Sequence, residues 1–168
     1  MNKFLLVLAV LLLSFCWNGY SQTSEEFNIQ GDYKFNENNY MGAIADYNKA
    51  IRIDPKYIKA HLRRINLKSQ LKDWKGCVAY CTKAIKIDSI AGQVYTIRGN
   101  SKGSMCNYDG AIKDYTESIN LNSQDYWAYS FRGMTKKCAG DAIGAEIDSK
   151  RADELRPITV NNIYNNYT

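Results

Sequence analysis

NYMGAIADYNKAIRIDP, which begins at Asn39, has three counterparts that follow at one constant interval along the chain. They are DWKGCVAYCTKAIKID from Asp73, NYDGAIKDYTESINLN from Asn107 and DAIGAEIDSKRADELRP from Asp141. Small side chains recur in two columns of this ungapped alignment: Ala43, Cys77, Ala111 and Ala145, then Ala50, Ala84, Ser118 and Ala152. Because small residues let two helices cross closely, the columns predict pairs of packed helices.

A second helix is predicted upstream of each segment. Gly31, Gly99 and Gly133 fall in register there, and Ile65 replaces glycine in the second unit. Bulky residues form two further columns: Phe27, His61, Tyr95 and Tyr129, then Tyr40, Trp74, Tyr108 and Ala142. Apolar spacing of three and four residues around them predicts amphipathic helices of about a dozen residues each. Because Ile65 and Cys77 are larger than their counterparts, we expect the helices of the second unit to stand further apart.

This pattern resembles the tetratricopeptide repeat family, whose unit of about 34 residues is a helix, a turn and an antiparallel helix. The resemblance covers residues 24–157 and includes Pro55 and Pro157 at the turn between repeats. It implies an all-α fold, a right-handed α-solenoid of four antiparallel helix pairs with about eight helices. The predicted array is 22–157, with units 24–57, 58–91, 92–125 and 126–157.

Both ends of the chain are predicted to lie outside the array. Residues 1–21 combine Lys3 with an apolar run that ends at Asn18, which is typical of a signal peptide cleaved before Gln22. Lipidation at Cys16 and an uncleaved membrane anchor remain the alternatives. Residues 158–168 form a tail that is either a truncated capping helix or a frayed terminus. We therefore predict an extracytoplasmic protein, periplasmic or secreted, without stable membrane insertion after cleavage, and a lipid-anchored envelope protein as the alternative.

Composition and motifs favour a non-catalytic protein. The chain has 22 basic and 17 acidic residues, a balance too mild to indicate nucleic-acid binding. No phosphate-binding glycine motif occurs, and His61, the single histidine, lies in an aromatic column that predicts packing. The acidic residues are dispersed and are predicted to lie on solvated helix faces. We predict no cofactor, no metal site and no enzymatic activity.

The four cysteines after the leader divide into two pairs. Cys77 and Cys81 fall in packing columns and are predicted to be core residues. Cys106, in a turn, and Cys138, near the end of an antiparallel neighbouring helix, are predicted to meet. They form either a disulfide, as an oxidising compartment would favour, or two partly shielded free thiols.

Basic charge is concentrated in the second unit. From Ile58 to Ala91, eight lysines and arginines stand against two aspartates, a net charge of +6. The cations are Lys59, Arg63, Arg64, Lys68, Lys72, Lys75, Lys83 and Lys86. This excess indicates either an acidic partner or anionic surface, or a face that only aids solubility.

The family resemblance also implies a binding groove, lined by the first helix of each unit. In repeat register it selects Asn28, Asp32, Phe35, Lys59, Arg63, Asn66, Ser69, Gln93, Thr96, Asn100, Trp127, Ser130, Met134 and Lys137. Amide side chains can bind the backbone of an extended peptide, and Trp127 with Met134 would supply an apolar patch. The family's carboxylate clamp needs lysine or arginine at three positions. Counted from the first unit these hold Asn28, Gln93 and Ile97, and counted from the second they hold Leu62, Trp127 and Phe131, so we expect no recognition of that kind.

The sequence therefore predicts one of two functions. The first is a protein- or peptide-binding adaptor or scaffold that uses the concave groove. The alternative is a permanent structural subunit of an envelope-associated assembly that uses the convex face and the open ends. Self-association through an exposed last repeat is also expected if its apolar surface stays open.

Overall fold

The structure, a computed structural model, describes residues 22–87 and 91–156 of the 168-residue chain. The predicted signal peptide over residues 1–21, with Cys16, lies outside the described residues. Pro157 and the predicted tail over residues 158–168 lie outside them too. The signal peptide and the capping tail therefore stay predictions.

The described residues form eight α-helices and no strand, arranged as four antiparallel pairs. The helices are α1 Ser24–Asn36, α2 Tyr40–Ile53, α3 Ile58–Gln70, α4 Trp74–Ile85, α5 Ala91–Ser104, α6 Tyr108–Leu121, α7 Tyr126–Cys138 and α8 Ala142–Leu155. Each packs on the helices next to it in sequence, which is the arrangement of a solenoid. The predicted all-α solenoid is confirmed. Within residues 22–87 and 91–156, no helix has the length and apolar character needed to cross a membrane.

The first helices of the pairs lie on the concave side. α5 makes close approaches to α3 and to α7, whereas no two second helices approach each other comparably in the described chain. Helices that are two apart in chain order and still contact each other must lie on the inner side of the curved array. The groove predicted from the family resemblance is therefore lined by α1, α3, α5 and α7.

Each second helix begins with the same side-chain cap. Asn39, Asp73, Asn107 and Asp141 precede α2, α4, α6 and α8, and each accepts a hydrogen bond from the backbone N–H of the glycine three residues later, at 3.0, 2.9, 3.0 and 2.8 Å. Such a cap contributes about 1 kcal/mol to helix stability. The repeated Asn/Asp-x-x-Gly pattern thus sets the start of every second helix at the constant interval of the repeat.

Small residues bring the helices of a pair together, as predicted. All eight residues of the two small columns are buried. A Cβ atom at Gly31 would lie 2.4 Å from Cε1 of Tyr47, and one at Gly99 would lie 2.7 Å from Cε1 of Tyr115. Only glycine therefore leaves room for these buried tyrosine rings.

The second pair is packed differently. Ile65 and Cys81 are both fully buried and occupy the places that glycine and tyrosine hold in the first and third pairs. In this pair the large side chain, Ile65, lies on the first helix and the small one, Cys81, lies on the second. The space between α3 and α4 is therefore filled from α3, whereas the tyrosine of the second helix fills it in the first and third pairs. The wider spacing expected between α3 and α4 stays a prediction.

A buried aspartate links the two helices of a pair and, through arginine, the preceding pair. Asp114 on α6 is 2% exposed and accepts two hydrogen bonds from Arg98, at 2.9 and 2.7 Å. Lys102 lies 2.7 Å from the same carboxylate, and Arg98 also donates to Thr82 of α4 at 3.2 Å. Equivalent ion pairs join Asp148 to Arg132 and Lys136. Asp46 pairs with Lys34, in register with Lys102, and with Lys49 on its own helix, because Gln30 stands at the arginine position.

These aspartates correct one prediction. The acidic residues were expected on solvated faces, but Asp46, Asp114 and Asp148 are almost fully buried. Two cations and several hydrogen bonds compensate each carboxylate for the loss of water, which a single exposed ion pair would not do. The signal was present in the repeat register, where arginine and lysine recur four residues apart on the first helices and aspartate recurs on the second.

The second pair lacks this aspartate, because Tyr80 stands in its place. Arg64 is nevertheless buried, and its guanidinium lies 3.8 Å from the centre of the Tyr80 ring. It donates to Asn48 at 2.7 Å, and its Nε has no partner. Burial lowers the pKa of Arg64. Lys68 pairs instead with Asp73, at 2.8 Å.

Candidate functional site

A cavity of about 450 Å³ opens on the concave face between α5 and α7. Its polar lining consists mainly of amides and hydroxyls, and its apolar lining is aromatic and aliphatic. The lining residues are Gly92, Gln93, Thr96, Ile97, Asn100, Asn122, Asp125, Trp127 and Phe131. The mixture suits an uncharged ligand with both backbone-like polar groups and an apolar side chain.

Trp127 is the most prominent side chain of this cavity. It is 59% exposed, although its ring stacks on Phe131 with 5.7 Å between centroids and 25° between planes. Asp125 caps α7 and accepts hydrogen bonds from the backbone N–H groups of Trp127 and Ala128, at 3.0 and 3.2 Å. The cap and the stacked ring together hold the indole at the groove surface. A large, fixed and exposed aromatic side chain is typical of a binding surface.

A second cavity, of about 350 Å³, adjoins the first and shares Asn100 and Phe131 with it. Its other lining residues are Gly103, Ser104, Tyr108, Tyr115, Met134, Thr135 and Cys138. Asn100 Oδ1 accepts a hydrogen bond from the hydroxyl of Tyr115 at 2.7 Å, which orients the amide and leaves its Nδ2 available to a ligand. Burial raises the pKa of Tyr115 to about 12, so it stays a donor at neutral pH. Asn100 is thus a positioned amide between two cavities.

The first half of the groove is narrower and more strongly charged. A cavity of about 70 Å³ is lined by Asp32, Phe35, Tyr47, Arg63, Asn66, Leu67 and Gln70. Arg63 lies 3.1 Å from Asp32, and the hydroxyl of Tyr47 donates to the same carboxylate at 2.8 Å. The polar groups here satisfy one another, so this end offers a ligand less than the α5–α7 end does.

The structure separates the predicted groove residues into three sets. Ten line the cavities described so far or one of about 150 Å³ between α7 and α8: Asp32, Phe35, Arg63, Asn66, Gln93, Thr96, Asn100, Trp127, Ser130 and Met134. Lys59, Ser69 and Lys137 are not among the residues that line these cavities. The remaining one, Asn28, is buried.

Asn28 and Thr96 are both mostly buried and make hydrogen bonds within the array, although Thr96 also lines the larger cavity. Asn28 is 4% exposed and donates to Asp32 at 3.4 Å. Thr96 exchanges a hydrogen bond with the hydroxyl of Ser118 at 2.8 Å, which ties α5 to α6. The repeat register placed both on the groove helix, but it could not show that their side chains turn into the packing between helices. Phe131, which repeat position did not select, joins the two main cavities.

The cysteines and the histidine agree with the packing predictions. Cys77 and Cys81 are fully buried, with 4.0 Å between their sulfur atoms. His61 is 5% exposed and its Nε2 donates to the carbonyl of Pro55 at 2.9 Å, while burial lowers its pKa. Cys106 and Cys138 are exposed free thiols in this structure. The disulfide between them stays a prediction.

Within the described residues, no group of three histidine, cysteine or carboxylate side chains is placed to bind a metal ion. The most buried ion pairs in the described residues are those of Asp46, Asp114 and Asp148, and each of these aspartates pairs with a cation on the neighbouring helix. The surface with the chemistry of a binding site is therefore the concave face at α5 and α7.

Comparisons with known proteins agree with this architecture. The family model described as TPR repeat matches residues 31–64, and no curated protein matches the chain. The MamA 41-end structure from Desulfovibrio magneticus RS-1 is similar, with a TM-score of 0.70 at 15% identity over 79% of this chain and 75% of that chain. The first TPR of Spaghetti (RPAP3), bound to the HSP90 peptide SRMEEVD, gives 0.65 at 21% identity over 71% and 95%.

The Arabidopsis OM64 TPR domain gives a TM-score of 0.63 at 23% identity, over 68% of this chain and 95% of that chain. Identities this low show a shared fold. Residues 31–64 therefore match the TPR repeat model, and the described region shares the fold of these tetratricopeptide repeat structures.

Proposed function

We propose that the chain is a non-catalytic protein- or peptide-binding adaptor or scaffold, exported from the cytoplasm, whose partner lies in the concave groove at α5 and α7. The observation that carries this proposal is the exposed, stacked Trp127 beside the positioned amide of Asn100, between two adjoining cavities. Export is inferred from the apolar leader over residues 1–21.

An extended segment of another protein fits these groups. Its backbone N–H and C=O groups can pair with the amides of Asn100, Gln93 and Asn122, whatever its sequence. Covering the exposed part of the Trp127 indole would contribute about 2–3 kcal/mol, since a tryptophan offers roughly 150–250 Å² of surface. The amides thus supply orientation and the aromatic pair supplies most of the affinity.

The structure of a similar fold with a bound HSP90 peptide supports a peptide as the kind of ligand. The ligand chemistry here is different, because the positions where the carboxylate clamp needs lysine or arginine hold Asn28, Gln93 and Ile97 in one frame and Leu62, Trp127 and Phe131 in the other. A C-terminal carboxylate would find neither lysine nor arginine at these positions. We expect an internal segment with an apolar side chain instead.

A single substitution, Trp127→Ala, tests the groove more cleanly than one that includes Asn100. Asn100 accepts the hydrogen bond of the buried Tyr115, so its removal would also cost stability of about 1 kcal/mol. Linear peptides selected from a random display library on the full chain serve as probes. We expect Trp127→Ala to weaken their binding at least about tenfold, as loss of a central aromatic does.

Met41→Ala is the matched control, because Met41 is 76% exposed and lies on α2, away from the groove. It should leave the affinity unchanged. Selected peptides that bind the folded Trp127→Ala chain as tightly as the original would place the site elsewhere and refute the proposal.

The alternative, a structural subunit, is favoured by one observation on the last pair. Ile143 and Ile147, four residues apart on α8, are 77% and 62% exposed. Contact with a second copy or an assembly partner would cover this apolar surface. Sedimentation of the original chain and of an Ile143→Ser/Ile147→Ser variant tests this role. If the original chain stays monomeric at high concentration, the hypothesis of self-association is refuted.

A further inference from the structure

The outer surface of α4 carries a row of lysines, which we call the lysine stripe. It consists of Lys72, in the turn before α4, and Lys75, Lys83 and Lys86, all exposed. The intervals of eight and three residues keep Lys75, Lys83 and Lys86 on one side of the helix, whereas Lys72 lies before its N-terminal cap, in the left-handed region at φ 57°. At about 1.5 Å per residue, Lys75 to Lys86 span roughly 17 Å.

The structure sorts the basic excess of the second unit between interior and surface. Arg64 is buried against Tyr80, Lys68 pairs with Asp73, and Arg63 pairs with Asp32. These three cations thus already have partners within the array. None of the four stripe lysines forms an ion pair with another described residue. The eighth cation of the unit, Lys59, is exposed on α3. Four of the five remaining cations therefore lie on or just before α4.

A face that only aided solubility would mix its charges. α8 does so, with exposed pairs Lys150–Glu146 and Arg151–Glu154. α4 contains no acidic residue at all. Lys83 and Lys86 lie near its C-terminal end, where the helix dipole favours cations, but Lys72 and Lys75 lie at the N-terminal end, where it disfavours them. The corresponding position of Lys75 in α6 is Asp109, the residue type that the dipole favours.

We propose that the lysine stripe is a second interaction surface, on the convex side of the array, that binds an acidic segment of another protein. The stripe is narrow, because the α6 positions in register with Lys75 and Lys83 are Asp109 and Glu117. A linear acidic segment can follow the stripe and avoid these carboxylates. An anionic bilayer is broad and would meet them, so it fits the surface less well.

Lysine rather than arginine forms the whole stripe, which adds to its chemical character. Lysine is a compact, strongly hydrated charge without the planar fork that selects bidentate geometry. The stripe should therefore read the density of negative charge rather than a particular carboxylate arrangement. Binding of this kind weakens steeply with salt.

A fluorescein-labelled oligo-glutamate of about eight residues is a suitable probe, since an extended chain spans about 3.3 Å per residue and would cover the stripe. Its fluorescence anisotropy is followed as the full chain is titrated, at about 50 mM and about 300 mM salt. Lys75→Glu/Lys83→Glu is compared with Lys150→Glu/Arg156→Glu, which changes the net charge equally at exposed positions on α8 and at its C-terminal cap.

We expect the stripe variant to bind the probe at least about tenfold more weakly and the α8 variant to stay within about twofold of the original chain. Equal weakening in both variants would overturn the proposal, because it would mean that net charge alone is read. Binding to vesicles of phosphatidylcholine with phosphatidylglycerol, without binding to the probe, would also overturn it and assign the stripe to a membrane. The groove test is independent, because Trp127 lies on the concave side.

Discussion

Replacement of Asp114 by asparagine should strongly destabilise the array. Asp114 is 2% exposed, and its carboxylate is the shared acceptor for Arg98 and Lys102, whose side chains are only 15% and 20% exposed. Asparagine has nearly the same shape, so the change removes the negative charge and leaves two cations facing a neutral amide. Removal of one partner from a buried ion pair costs about 3–5 kcal/mol.

The residual exposure of the two cations places the expected loss near the lower end, at about 3 kcal/mol in the free energy of unfolding. That is a large part of the roughly 5–15 kcal/mol that stabilises a typical domain. For a chain of this size it corresponds to a fall in Tm of about 10 °C. Urea unfolding followed by circular dichroism gives the first quantity, and a thermal scan gives the second.

Asp109→Asn is the matched control, because Asp109 has the same side chain on the same helix but is exposed. It should cost no more than about 1 kcal/mol, the value of a favourable charge in a first helical turn. If the loss of stability from Asp114→Asn is within about 1 kcal/mol of the loss from Asp109→Asn, the buried carboxylate does not hold α5 to α6. That result would refute the role given to the ion pairs of Asp114.

Two further predictions concern packing and pH. Gly99→Ala should cost about 1–3 kcal/mol of stability, because the new Cβ would lie 2.7 Å from the ring of buried Tyr115. In the same urea titration Gly103→Ala should be neutral or stabilising, because its Cβ would meet only ordinary contacts. Burial alone would raise the pKa of Asp148, but hydrogen bonds from its two cationic partners hold it below the ordinary value. Its stabilising contribution should thus be complete above the unfolded pKa of about 3.9 and be lost as the pH falls through the folded pKa, so Asp148→Asn should flatten the dependence of unfolding free energy on pH below about 4.

The repeat pattern was sufficient to predict the architecture. Identical spacing of small residues, caps and aromatic residues over four segments leaves little freedom, because every unit must present the same surface to its neighbour. The helix pairs, the buried small columns and the core positions of Cys77 and His61 therefore followed from periodicity alone.

The candidate site was only partly accessible from the same register. A position in a repeat says on which helix a residue lies and roughly which way it points. It does not say what the neighbouring helix places opposite. For this reason Asn28 was assigned to the groove although it is buried, and Phe131 was left out although it joins the two main cavities.

What the sequence by itself determined was the set of contacts that recur, because a constant period repeats every local choice in each of the four units. What only the tertiary structure decided was how charges are partnered. Whether Asp114 is solvated or buried, and whether Arg64 counts toward a basic surface or packs on Tyr80, depends on which side chains from separate helices meet and exclude water. Desolvation is a property of the assembled array. The packing of the helices therefore decides which aspartates form buried ion pairs and which lysines remain exposed on α4.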